Sequence, residues 1–327
     1  MVPDVAFVER FRADLDALSD PSARLGIAVS GGPDSLALLL LAAAARPGRI
    51  EAATVDHGLR RGGRDEAEMV ADLCARLHVE HAILAIEWDL PPVSAIQEQA
   101  RTVRYGALGA WLDERGLAAL LTAHHLDDQA ETIAMRLNRG SGVRGLAGMR
   151  RNAPLPGGTD HVLLRPLLGW RRSDLDEICA AAGVTPAFDP SNDDANFERV
   201  RVRRGLAGAD WLESKGFARS AEHLAAADEA LGWVAEREWL ESVDAGPSEI
   251  VYRASPAPVE IRRRIVSRAV AMTATEGAAD DLRGRELDRL MADLEAGRTS
   301  TLRGVRCSGG LDWSFTPAKA RRPDKPG

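Results

Sequence analysis

Residues 24–45 read RLGIAVSGGPDSLALLLLAAAA. A short apolar run, Leu25 to Val29, halts at Ser30-Gly31-Gly32-Pro33-Asp34-Ser35. A second apolar run, Leu36 to Ala45, begins at once. The first run is the length of a fully buried strand, and the second starts a helix. A buried strand feeding directly into a buried helix is one step of a strand–helix–strand fold, so this segment restricts the chain to a layered α/β architecture.

The pattern then repeats. RIEAATVDH reads as a second strand, RDEAEMVADLCARLH as a helix, and EHAILAIEW as a third strand. Ser94 to Arg115 reads as a long helix opening on a serine cap and closing at Gly116. LAALLTAHH is a fourth strand, Leu126 to Asn138 is helical, and Val5 to Leu18 is a leading amphipathic helix. This alternation predicts a doubly wound parallel sheet, in which ligands bind beyond the carboxyl ends of the strands. The unusual residues fall at those ends: Ser30–Ser35, Asp56-His57, and His124–Asp128.

Residues 139–160 read as a long loop, SDLDEICAAAG as a capped helix, and DPSNDD as a turn cluster. The alternation stops near Trp211. Helical patterns follow at Ala218–Glu241, Ala257–Thr273 and Arg285–Ala296, with a short β-like tail in TLRGVRCSGGLDWSF and a frayed end in AKARRPDKPG. Two domains are expected, 1–212 and a smaller, mainly helical 213–327.

Composition excludes several classes. The only lysines are Lys215, Lys319 and Lys325, so a phosphate loop of the Walker type cannot lie in residues 1–214. Cys74, Cys179 and Cys307 are far apart, which fits a reducing cytoplasm and excludes a cysteine-rich metal site. The N-terminus has no basic leader or apolar core of a signal, and no apolar run is long enough for a membrane helix. A net charge of −7 taken alone argues against nucleic acid. A local patch can override it.

The S-G-G-P-D-S turn has the chemistry of a phosphate cradle. Its glycines admit positive φ and close backbone approach, and the helix start supplies free amides. Ser30 and Ser35 add hydroxyl donors. Asp34 suits an anion site if a cation such as Mg²⁺ lies between, or if it caps the helix. A tight turn with an Asp or Ser cap is the alternative.

SGGPDS resembles the signature of the PP-loop ATP pyrophosphatase superfamily. VDHGLRRGGRDEAEMV, QEQARTVRYGAL and TAHHLDDQAETIAMRLNRGSGVRGLAGM resemble one of its families, the tRNA(Ile)-lysidine synthetases, over most of residues 24–205. The resemblance implies an ATP- and Mg²⁺-dependent ligase that joins free L-lysine to C2 of the wobble cytidine of tRNA(Ile) with a CAU anticodon. ATP would adenylate the C2 oxygen, and AMP and pyrophosphate would leave. It implies that Ser30, Gly31, Gly32, Pro33, Asp34 and Ser35 hold the pyrophosphate portion, with Asp56 and His57 near ribose or adenine. The second domain resembles a tRNA-binding extension. No membrane is involved, and a homodimer is compatible with this reading.

His124, Asp127, Asp128 and Glu131 form an acidic helix start whose helical spacing pairs His124 with Asp128 and Asp127 with Glu131. Such a group can hold Mg²⁺, with Asp34, Asp127 and Asp128 as its ligands, or the ammonium groups of lysine. One member can take a proton from the attacking amine. Acids favoured by the helix dipole are the alternative. Arg104, three residues after Arg101 on one helix face, is readable as neutralising an α-phosphate or the adenylate, or as part of a solvated face with Glu98 as an ion-pair partner.

NRGSGVRGLAGMRR carries Arg139, Arg144, Arg150 and Arg151 and has no acid from Arg136 to Thr159. This basic loop suits an anticodon stem-loop. ERVRVRR adds Arg199 and Arg203. Family members usually show Arg-Asn where this chain has Arg199-Val200, which leaves the role of these arginines open. Arg262, Arg263, Arg264 and Arg268 form a helical cluster readable as an RNA face or as a solvated surface. A PP-loop tRNA thiolase is the competing enzyme and a non-catalytic nucleotide-binding module the competing non-enzyme.

Overall fold

In the computed structural model, which describes residues 3–58, 62–86, 88, 96–157, 160–187, 194, 196–253, 256–274, 282 and 284–318, the first apolar run becomes strand β1 (Leu25–Ala28). The expected cap Ser94, residues 189–193 of the expected turn and residues 319–327 of the expected frayed tail lie outside these. The chain divides into two units, Met1–Glu222 and His223–Gly327.

In the first unit β1 lies inside a six-stranded sheet of order β3-β2-β1-β4-β6-β5. β2 (Ile50–Asp56), β3 (Glu80–Ala85), β4 (Ala119–Leu121) and β6 (Val162–Leu164) run parallel, and β5 (Asn152–Pro154) pairs antiparallel at the edge. The chain steps outward from β1 to β2 and β3, then crosses back to β4 on the other side of β1. The crevice between the carboxyl ends of β1 and β4 is therefore the switch point where ligands bind in such sheets.

Helix α2 (Pro33–Ala45) is apolar on every side because it is covered on every side. It packs between α1 (Val5–Asp16) and α7 (Arg172–Ala181), with Leu36 through Ala42 buried. On the opposite face, α4 (Ile96–Arg115) presses Trp111 so close to β1 that a Cβ on Gly26 would sit 2.6 Å from the indole ring. α3 (Gly62–Leu77) and α5 (Leu126–Asn138) complete the alternation. The stretch expected to be a loop contains a single helical turn, α6 (Val143–Leu146), and strand β5. α8 (Glu198–Ala207) packs on α5.

The division between units falls inside α9 (Ser214–Ser242), about ten residues beyond the composition break, because the first turns of α9 belong to the first unit: the Ser214 hydroxyl donates to Asp127. No described helix is long and apolar enough to cross a membrane.

In the second unit, the rest of α9, α10 (Val259–Thr273) and α11 (Gly284–Glu295) cover a five-stranded antiparallel sheet of order β7-β8-β11-β10-β9. Its strands are β7 (Val243–Ala245), β8 (Ile250–Arg253), β9 (Thr299–Leu302), β10 (Val305–Ser308) and β11 (Asp312–Pro317). The β-like tail supplies three strands, and two short segments after α9 supply the others. The core gathers Tyr252, Val266, Leu294, Trp313 and Phe315. The arginines of α10 pair with acids of this same unit: Arg262 with Glu295, Arg263 with Asp288, Arg264 with Asp228 and Glu260, and Arg268 with Glu236. Each joins α10 to a neighbouring helix or to its own previous turn.

Candidate active site

The turn after β1 is built to expose amides. Gly31 has φ +82°, and the cap position of α2 is Gly32, which offers no side chain. Asp34 therefore does not cap the helix, and the first amides of α2 keep their donors. The Ser35 hydroxyl donates to the Gly32 carbonyl at 3.0 Å and accepts from the Ser30 amide at 3.1 Å. From outside, the Ala187 amide donates to the Gly31 carbonyl at 3.0 Å, and the Cys179 thiol to that of Pro33 at 3.3 Å.

This turn borders a cavity of about 480 Å³ at the switch point. Ser30, Gly32, Asp34 and Ser35 form one side. Asp56 and His57 at the end of β2 form another, and Arg104, His124 and Asp128 close it. Asp56 also accepts from the Gly58 amide at 3.0 Å, so it shapes its own turn. Arg101 and Arg104 both lie against the Tyr105 ring, 5.1 and 5.0 Å from its centre. Of the loop residues expected at the nucleotide, Gly31 and Pro33 shape the turn without lining the cavity.

Asp34 has one buried oxygen, Oδ1, with no hydrogen-bond partner. Its Oδ2 lies 3.6 Å from Nε2 of His125. Burial pushes this carboxyl up, but the imidazole of His125 and the charges of Arg172 and Arg203 outweigh burial and hold it below the ordinary value. Asp34 is thus an ionised residue of the cavity wall that keeps one buried, unpartnered oxygen.

The two adjacent histidines have opposite environments. His124 faces the cavity, and its Nδ1 lies 3.0 Å from the Thr122 hydroxyl. Enclosure by protein, then the charges of Arg165, Arg199 and Arg101, push its pKa far down against the pull of Asp128, so it is neutral. His125 is buried and caps α5: its Nδ1 accepts from the Asp127 amide at 3.2 Å, while Asp128 Oδ2 accepts from the His125 amide at 3.0 Å. Burial lowers the His125 pKa, but Asp34, Asp128 and Asp127 together raise it above the ordinary value. Sequence reading placed His124 at the helix start and passed over His125. The HH doublet was the only signal, and capping geometry decides between its members.

The acids of α5 bind across to other helices rather than along their own. Asp127 accepts from the Ser214 hydroxyl at 2.6 Å and from the Arg172 amide at 2.9 Å, so it ties down the starts of α9 and α7. Asp128 accepts from Arg199 at 2.7 Å. Glu131, with 3 % of its side chain exposed, accepts from Nε of Arg199 and Nε of Arg203, each at 2.6 Å. Arg199 and Arg203, expected on the RNA surface, instead face the acid cluster. Val200 is a buried packing position of α8. The expected metal trio of Asp34, Asp127 and Asp128 is not gathered: no group of three or more His, Cys, Asp or Glu could hold a metal ion among the described residues. Asp127 and Asp128 are engaged with the groups just named, and Asp34 alone offers a free oxygen.

A second cavity of about 330 Å³ is lined by His125, Asp127 and Glu131. Arg172 and Arg203 add positive charge, and Leu206, Leu212 and Phe217 an apolar wall. It thus offers acids, guanidinium groups and hydrocarbon together.

The basic loop is fastened to α5. Gln129 donates to the Met149 carbonyl at 2.9 Å and accepts from its amide at 2.7 Å. Arg136 donates to the carbonyls of Gly145 and Gly148. Gly148 has φ +66°, and a Cβ there would meet Gln129 at 2.6 Å. On this loop Arg139 pairs with Glu198 and Arg151 with Asp14, while the carbonyl of Arg150 accepts from Arg165 at 2.8 Å. Arg144 lies on α6. Sequence reading also gave no role to Arg165 and Tyr105, both buried; Tyr105 lies inside the QEQARTVRYGAL segment and lines the first cavity, but inclusion in a motif did not distinguish it from its neighbours.

A family described as a PP-loop domain matches residues 5–209. A tRNA(Ile)-lysidine synthase of Novosphingobium aromaticivorans is 47% identical over 317 residues, covering 97% of this chain and 95% of that protein. One of Zymomonas mobilis is 41% identical over 307 residues, covering 93% and 92%. Among solved structures, the U34-tRNA thiolase NcsA from Methanococcus maripaludis shares the fold at 16% identity, with a TM-score of 0.56 over 68% of this chain and 80% of that one.

Proposed function

The chain belongs to the tRNA(Ile)-lysidine synthase family of PP-loop proteins, and on that premise we propose how its two cavities divide the ligation. The protein uses ATP to join free lysine to C2 of the wobble cytidine of tRNA(Ile), releasing AMP and pyrophosphate. The observation that carries the division is the pairing of a phosphate-type turn holding an unpartnered Asp34 oxygen with a second, mixed-charge cavity reached through the same helix start.

In this reading the turn amides and the Ser30 hydroxyl bind the pyrophosphate portion of ATP, while the Ser35 hydroxyl, donated to the Gly32 carbonyl, braces the turn. Asp34 fits Mg²⁺, a hard cation that takes a carboxylate together with phosphate oxygens. When bound, the ion neutralises charge on the phosphates. Arg104 faces the α-phosphate. Neutral His124 can hydrogen-bond to an adenylate without adding charge.

Lysine occupies the second cavity. Arg172 and Arg203 receive its carboxylate, Asp127 and Glu131 its ammonium groups, and the wall of Leu206, Leu212 and Phe217 its stem. The attacking amine must shed a proton, and we assign the acceptor to Asp128, the acid of α5 that borders the nucleotide cavity. Such an enzyme works where tRNA and ATP are found, in the cytoplasm.

Incubation with labelled lysine, ATP and tRNA bearing a CAU anticodon should transfer one label per tRNA and release pyrophosphate. Folded protein and competent tRNA that give no transfer would overturn the assignment. The thiolase reading gains no support from the cysteines: Cys74, Cys179 and Cys307 are all buried, and burial pushes each thiol up to about 12.

The tRNA phosphates are read by the basic loop. Replacing Arg144 and Arg150 together with alanine should weaken tRNA binding and reduce the slope of log affinity against log salt by about one per lost phosphate contact. Filter binding at several salt concentrations measures this, and an unaltered slope would move the RNA surface elsewhere.

A further inference from the structure

His125 is buried, with 3 % of its side chain exposed, and its two ring nitrogens do different work. Because Nδ1 accepts from the Asp127 amide, the ring proton sits on Nε2. Nε2 lies between Asp34 Oδ2, at 3.6 Å, and Asp128 Oδ2, at 3.4 Å. These carboxylates come from the starts of two different helices, Asp34 from α2 after β1 and Asp128 from α5 after β4. Both line the nucleotide cavity, while His125 itself lines the second cavity. Asp34 Oδ1 is buried and has no hydrogen-bond partner, and its Oδ2 is the oxygen that meets the imidazole.

We propose that His125 is a positioning residue for the ligation: its Nε2–H, facing Oδ2 of both Asp34 and Asp128, fixes the Asp34 carboxylate at the edge of the nucleotide cavity, and it does so from the wall of the cavity assigned to lysine. This rests on the two-cavity reading above. A helix cap alone needs only Nδ1. The contact of Nε2 with two carboxylates, one of them on α2, is what a cap does not require. Groups that orient a metal ligand from behind typically change metal affinity by about 10–100-fold when removed.

Two substitutions separate the roles. Asparagine is a strong helix cap but too short to reach Asp34. Glutamine carries a terminal N–H at about the reach of Nε2 and is a poor cap. His125→Asn should keep the urea midpoint of the wild type, lose kcat by about 100-fold, and show about a 10-fold smaller gain in nucleotide affinity on adding Mg²⁺, read by calorimetry with ATP alone and with MgATP. Affinity for metal-free ATP should not change. His125→Gln should unfold at lower urea yet hold kcat and the Mg²⁺ gain within about 5-fold of wild type. If His125→Asn keeps the full Mg²⁺ gain, or if losses in both variants follow their urea midpoints, His125 is a cap and nothing more. Wild-type protein that transfers no lysine counts against the ligase reading alone, since the calorimetric comparison judges His125 without turnover.

Discussion

Asp34→Asn should lower pyrophosphate release at saturating ATP by about 100-fold or more while the protein unfolds at nearly the same urea concentration. The substitution preserves shape and removes one charge. In the folded chain that charge has opposing influences: burial disfavours it, and His125, Arg172 and Arg203 favour it. The balance lowers its pKa, so the charge contributes stability at neutral pH that is lost as pH falls through the folded pKa. Because desolvation offsets much of the attraction, the asparagine variant should lose only about 1 kcal/mol. Function has no such offset. The Asp34 carboxylate is ionised and lines the nucleotide cavity, and an amide in its place binds Mg²⁺ weakly or presents a donor to phosphate. Equal losses of stability and rate would mean that Asp34 is structural.

The second large effect is expected at Glu131. Its buried carboxylate accepts from Arg199 and Arg203 at once, and it lines the second cavity. Glu131→Gln leaves two guanidinium groups facing a neutral amide. Breaking a buried pair costs about 3–5 kcal/mol when both partners are dry. Here the arginine side chains are 41 % and 35 % exposed, so water recovers part of that, and a loss of about 1–3 kcal/mol is expected. The larger change should be in kcat/KM for lysine, about 100-fold, equivalent to about 2.7 kcal/mol of transition-state stabilisation. Steady-state kinetics with lysine varied at fixed tRNA and ATP, beside urea unfolding, separates the two. Unchanged lysine saturation would remove Glu131 from the amino-acid site.

The parallel sheet was readable because each central strand is a local apolar run with a helix on either side. β1 to β4 and α2 to α5 follow from that alone. β6 was not: it is three residues long in an arginine- and proline-rich stretch, and it exists because β4 lies beside it to pair with Leu163 and Leu164. The same holds for β7 and β8, strands completed by partners from the end of the chain.

The site divides in the same way. The phosphate turn is contiguous, so spacing reveals it. The partners of Glu131 stand 68 and 72 residues away, and nothing in helical periodicity can find them. Periodicity instead paired the acids of α5 with each other and left the arginines of α8 to an outer surface. The buried position of Val200 explains how α8 turns Arg199 and Arg203 toward α5.

One consequence concerns exchange of parts. The arginine-bearing segment after α5 is clasped by Gln129 through both backbone groups of Met149, with Gly148 admitting that grip and Arg136 closing it from behind. It is therefore not a cassette that can be swapped between relatives on its own. A chimera importing a foreign segment inherits its tilt from the host helix, so donor and acceptor must match at positions 129, 136 and 148 before any difference in RNA preference can be credited to the arginines.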